Sequence, residues 1–170
     1  MGDNVYLGNP NLKKANTPVE FTEENIIEFV RCKNDPVYFA QEYVKIVSLD
    51  EGLVPFKPYD FQEKLINNFH DHRFNICKMP RQTGKSTTCV SYLLHYALFN
   101  DSVNIGILAN KASTARELLG RLATAYENLP KWMQQGILVW NKGNIELENG
   151  SKILAASTSA SAVRGMSFNI

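Results

Sequence analysis

The segment NICKMPRQTGKSTTCV, residues 75–90, closes on Gly84-Lys85-Ser86. A glycine, a lysine and a hydroxyl in that order suit the end of a phosphate-binding loop. The glycine lets backbone approach phosphate oxygens, the lysine reaches the β- and γ-phosphates, and the Ser86 hydroxyl ligates Mg²⁺. The pattern G-x-x-x-x-G-K-[ST] asks for glycine at position 79, where this chain has Met79 followed by Pro80. The competing reading is a helix N-terminus that carries Gly-Lys-Ser by coincidence, with Gly84 as a turn residue only. Flanking sequence favours phosphate. Phe74–Lys78 predicts a short strand and Ser86–Phe99 a helix, so backbone N–H groups and the aligned helix dipole face the loop.

A second feature lies upstream, where PYDFQ sets Gln62 at the start of a helix led by aromatics. A glutamine amide offers a donor and an acceptor, matching the N6 and N7 edge of adenine, and Tyr59 or Phe61 can pack on the base. The plain alternative is a core phenylalanine beside a solvated glutamine. Other clusters carry less. His70-Asp71-His72 could suggest a metal, but two His flanking an Asp at a helix end are more often solvated capping groups. His95 falls on the polar side of its helix without a visible partner. Trp132 and Trp140 read as packing residues.

These groups need elements to hold them. Residues 1–18 are rich in Asn, Lys, Gly and Pro and predict a flexible lead. Thr22 caps a helix to about Arg31, with Glu23 and Glu24 at the positive end of its dipole. Asp35-Pro36 opens a second helix, SLDEGLVPFKP breaks it, and a third runs from Tyr59 to His70. After the loop, Val103–Ala109 is an apolar run suited to a central parallel strand. Thr114 and Glu117 predict a capping box, followed by the buried stripe Ala115, Leu118, Leu119, Leu122 and Tyr126. Then ILVW, NIELE and KILAAS, joined by Asn141-Lys142-Gly143 and Asn149-Gly150, predict an antiparallel meander. The fold class is α/β: a P-loop NTPase-type, partly parallel sheet flanked by helices, with an N-terminal helical lead-in and an antiparallel meander near the C-terminus. Residues 1–55 form the lead and helical segment, and 56–170 the domain that carries the loop.

Bulk composition agrees with a globular chain: 170 residues, 44% hydrophobic, 21% charged, net charge +1. The near-zero charge gives no basic total, though phosphate contacts need only a local patch. Cys32, Cys77 and Cys89 lack metal spacing and favour a reducing compartment. No signal peptide or bilayer span is legible, and Tyr6 stands where a myristoylation signal wants Ser or Thr.

PRQTGKST, the preceding YDFQ, GILANKAS, WNKGNIELENGSKI and SASAVRGMSF occur here in the order seen in the large terminase subunit of T-even-type tailed bacteriophages. The chain resembles that family over roughly residues 20–170. The resemblance implies an ATPase that packages double-stranded DNA into a procapsid, with ATP and Mg²⁺ as cofactors. It also implies a portal protein and a small terminase subunit as partners, a homo-oligomeric ring, the host cell cytoplasm as location, and no membrane. The family's Walker A loop lacks the first glycine and has an Arg-Gln pair before Gly-Lys. Met79 is therefore expected, and the resemblance implies that Arg81 faces the γ-phosphate, with Gln82, Thr83, Gly84, Lys85, Ser86 and Thr87 as the rest of the nucleotide-binding set. Gln62 matches the adenine-recognising glutamine, while Lys57 stands where some relatives have a second one. Arg164 is implied as a finger reaching the neighbouring subunit's ATP, against the plain reading of Arg-Gly as a turn.

No apolar strand closed by adjacent carboxylates follows the loop. Asp50-Glu51 lies before it, in the wrong order. The resemblance implies the front portion of a terminase, in which residues 56–170 are a partial ATPase domain with an incomplete core, and which binds ATP and lacks turnover alone. The alternatives are a helicase-type translocase fragment and a non-catalytic nucleotide-binding or docking module.

Overall fold

The computed structural model describes residues 4–48, 50–158, 163 and 165–170. The chain opens on a hairpin, β1 (Val5–Tyr6) paired antiparallel with β2 (Asn9–Lys13). Composition predicts a flexible lead here, and the hairpin corrects that. Specific anchors outweigh the polar composition. Leu12 is buried, the Gln134 side chain accepts the Lys13 N–H at 3.0 Å and donates to the Asn11 carbonyl at 3.0 Å, and the Lys13 ammonium lies 2.9 Å from Glu148.

Two helices begin where their capping residues place them. Thr22 Oγ1 accepts the Asn25 N–H at 3.2 Å to start α1 (Glu23–Asn34), which continues past Arg31. Asp35 Oδ1 accepts the Tyr38 N–H at 2.8 Å to start α2 (Pro36–Tyr43), with Pro36 in its first turn. The following stretch is no simple break. It folds as a second antiparallel hairpin, β3 (Lys45–Ser48) with β4 (Gly52–Pro55), setting Ile46 opposite Val54. Helix α3 (Asp60–Asp71) buries Gln62, Leu65 and Ile66.

The strand expected at Phe74–Lys78 does not form. Strand propensity needs a neighbour to receive the backbone groups. This segment has no ladder partner among the described residues, and Phe74 and Ile76 stay 84% and 100% exposed. Helix α4 (Lys85–Phe99), β5 (Asn104–Ala109) and α5 (Ala112–Glu127) then follow in order. The predicted capping box is also corrected. Ala112 and Ser113 are already helical, so Thr114 sits in the first turn with its N–H donating to Lys111, and Glu117 pairs with Arg121 at 2.7 Å.

β6 (Ile137–Trp140), β7 (Asn144–Leu147) and β8 (Lys152–Ser157) form the antiparallel meander. β8 lies parallel to β5, from Asn104 opposite Lys152 to Ala109 opposite Ser157, giving a mixed sheet of order β5-β8-β7-β6. The N-terminal hairpin closes the β6 edge. Lys14 bridges Ile137, the Ala15 N–H donates to the Ile137 carbonyl at 3.3 Å, and Glu148 accepts the Gly136 and Asn16 N–H groups at 2.6 and 2.8 Å. At the opposite edge, Asn169 N–H donates to Asn104 and Gly106 N–H to Ile170, both at 2.8 Å. The bonds advance in the same sense on both segments, which is the parallel pattern.

One apolar cluster runs through the molecule, including Leu12, Phe39, Phe56, Leu94, Leu119 and Ile145. His95 belongs inside it, against its placement on a polar face. It is 2% exposed with Nε2 at 2.9 Å from the Cys32 carbonyl. Burial pushes its imidazole down to about 4, outweighing the contact with Cys32. Trp140 packs on Tyr126, and Trp132 on Phe21 and Tyr43, as core-type aromatics do.

Candidate nucleotide-binding site

Gln62 is the joint of this region. It occupies the first turn of α3, where its Oε1 accepts the Tyr59 N–H at 2.9 Å and so caps the helix. Its Nε2 donates to the Thr83 carbonyl, 3.3 Å away, in the loop ahead of α4. Both ends of the amide are thus engaged within the protein, and the residue is 3% exposed. Tyr59 and Phe61 flank it on the outside, their rings stacked at 5.7 Å and 14°, and stay 70% and 43% exposed.

The loop is held by its own chemistry. Gln82 and Gly84 take positive φ, 63° and 73°, a strained conformation for glutamine and an easy one for glycine. Thr83 Oγ1 donates to the Pro80 carbonyl at 3.0 Å. The Lys85 ammonium donates to the Met79 carbonyl at 3.0 Å and to the Pro80 carbonyl. Gly84 is the N-cap of α4 and has no side-chain cap, so the first-turn N–H groups face the loop without one. This arrangement suits an anion, which would take those N–H groups and draw Lys85 off the carbonyls.

A cavity of about 690 Å³ adjoins the loop, a size usual for a ligand site. Of the residues the sequence singles out, Gln62, Gln82, Thr83, Gly84 and Thr87 line it. Lys85 and Ser86 stand next to it at the start of α4, with Ser86 exposed. Arg81 is exposed, and no ion pair holds it among the described residues. Arg164 lies outside the described residues. Sequence reading missed the opposite wall: Ile46, Val54, Pro55 and Phe56 come from the β3–β4 hairpin and its exit. The sequence carries no alternation to reveal it, because Ile46, Val47, Leu53 and Val54 are all apolar; only pairing of the two strands half-buries Ile46 and Val54 and leaves Val47 and Leu53 pointing out. Lys57 also lines the cavity, and Glu51 is its one lining carboxylate among the described residues. No cluster of His, Cys, Asp or Glu among the described residues is placed to hold a metal by itself. A magnesium ion here would instead need the Ser86 hydroxyl together with phosphate oxygens, as hard oxygen-seeking cations in such loops do.

Comparison with known proteins agrees with this architecture. The family model described as terminase large subunit, T4likevirus-type, N-terminal, matches residues 76–170. Among solved structures, the large terminase of bacteriophage HK97 superposes with a TM-score of 0.64 at 16% identity, covering 80% of this chain and 29% of that one. The chain therefore spans under a third of that protein's length, and the likeness is one of fold.

Proposed function

We propose that this chain, which belongs to the T4-like type of the large terminase subunit family, is the ATP-binding portion of a motor that packages double-stranded DNA. The observation that carries the proposal is the meeting of Gln62, the aromatic pair and the Gln82-Thr83-Gly84 end of the loop around one cavity, with Lys85 and Ser86 next in sequence at the start of α4. Adenine would lie against Tyr59 and Phe61 and take the N–H and lone pair of Gln62 that remain. The triphosphate would lie over the N-terminus of α4. Lys85 would exchange its two carbonyl partners for phosphate oxygens, and Arg81, without an ion pair among the described residues, would add paired bonds to the γ-phosphate. Mg²⁺ with the Ser86 hydroxyl would neutralise charge on those oxygens. Arg164 is assigned, by family resemblance, to the ATP of a neighbouring subunit in a homo-oligomeric ring. Portal protein and small terminase subunit are the partners proposed on the same ground, with the host cell cytoplasm as the place of action.

Binding and turnover separate in this reading. Hydrolysis needs a carboxylate that orients the attacking water beside the γ-phosphate. Glu51, the one lining carboxylate among the described residues, lies in the turn of the β3–β4 hairpin, and the family resemblance assigns the water-orienting role to a different group, an Asp-Glu pair closing an apolar strand. The chain alone therefore binds without turning over. Steady-state phosphate release from the purified chain should be negligible with Mg-ATP and DNA, and should appear only on mixing with a polypeptide carrying the downstream half of a large terminase. Release by the chain alone that Lys85→Ala abolishes would place a working acid within these residues and overturn the separation.

A further inference from the structure

We infer that Gln62 is a positioning residue for the phosphate loop, acting on phosphate affinity even when no base is bound; this rests on the proposed nucleotide reading. Two observations carry it. The first is the bond from Gln62 Nε2 to the Thr83 carbonyl, made by a side chain whose other end is fixed to the Tyr59 N–H. In a trans peptide the carbonyl and the next N–H point to opposite sides. Holding the Thr83 carbonyl against α3 therefore turns the Gly84 N–H away from α3 and fixes one of the loop's anion-facing donors. The second observation is steric. A Cβ built on Gly84 would fall onto Gln62 Nε2. Gly84 is thus fitted to this amide as well as to its positive φ of 73°.

The consequence is a shared part. An amide has two N–H groups and two lone pairs, and one of each is spent on the protein. What remains can meet a base edge, so base slot and phosphate loop are joined through a single side chain. A group that reads only the base would be silent toward a ligand without one. A group that orients the loop would not.

The test titrates Mg-tripolyphosphate, which has no base, and Mg-ATP into the parent chain, Gln62→Ala, Gln62→Met and Lys85→Ala. Gln62→Met keeps the side-chain volume, so the test stands if Gln62→Ala does not fold. Both Gln62 variants should lose about 2- to 10-fold in tripolyphosphate affinity per folded molecule, the size of one neutral hydrogen bond. Unchanged tripolyphosphate affinity with weakened ATP would make Gln62 a base reader only and overturn the inference. A lowered melting temperature with both affinities unchanged would reduce it to a helix cap, with the same result. Failure of the parent to bind tripolyphosphate, or equal binding by Lys85→Ala, would remove the phosphate-loop reading itself and this inference with it.

Discussion

Lys85 and Arg81 begin from opposite states. The lysine is held by the carbonyls of Met79 and Pro80, while the arginine is exposed and has no ion pair among the described residues. If Arg81 faces the γ-phosphate, Arg81→Ala should weaken ATP binding by about 10-fold or more and ADP binding much less, since a charge-assisted contact is worth about 1.5–3 kcal/mol. Equal losses for both nucleotides would place Arg81 elsewhere. His95 gives a second prediction at this scale. Its imidazole is buried neutral, with a value near 4 against the usual 6.5. A depressed folded value means that stability is fully present above pH 6.5 and drains away as pH falls toward 4, because the unfolded chain takes the proton first. Urea unfolding at pH 7 and pH 5 should show a loss of about 1–2 kcal/mol. His95→Gln, which keeps a donor for the Cys32 carbonyl, should flatten that slope. An unchanged slope would show that another group dominates the window. The position was misread because α4 is buried nearly all round, leaving no polar side on which to place it, and its partner is 63 residues away in sequence.

Elements were legible in the sequence where local chemistry fixes them. Thr22 and Asp35 cap their helices as their types require, and the Asn-Gly and Asn-Lys-Gly turns mark the meander. Three errors have one cause: each outcome is decided by a distant partner. Phe74–Lys78 has strand composition and no strand to pair with among the described residues. Residues 45–55 look like a Gly- and Pro-rich break, yet cross-strand pairing makes them a cavity wall. The first hairpin looks like a flexible lead, and Gln134 and Glu148 hold it from more than a hundred residues away. Glu148 is the anchor that can be tested. Burial alone would raise its carboxyl, but the N–H groups of Asn16 and Gly136 and the Lys13 ammonium together hold it below the usual range. Glu148→Ala should cost about 1–3 kcal/mol by urea unfolding, because it leaves those donors without a partner. It should also speed amide exchange in β6, whose edge the hairpin covers. Unchanged stability and exchange would mean that Leu12 and Gln134 seat the hairpin without Glu148.

The whole molecule is a mixed sheet with its β6 edge covered by the first hairpin and its β5 edge met by residues 168–170. The candidate site sits apart from that sheet, where the β3–β4 hairpin, α3 and the start of α4 converge. The loop and Gln62 were legible because their chemistry lies in short motifs. The wall opposite them was not, because it exists only once three elements have packed. This convergence carries the proposed nucleotide reading: one cavity, in which the base would lie at α3 and the phosphates at α4. The measurement that tests it most directly is calorimetric titration of Mg-ATP into the parent chain and into Lys85→Ala. The parent should bind, and the variant should keep its fold and lose about 10- to 100-fold in affinity, the worth of the lysine's charged contacts. Equal affinities in the two proteins would contradict the account.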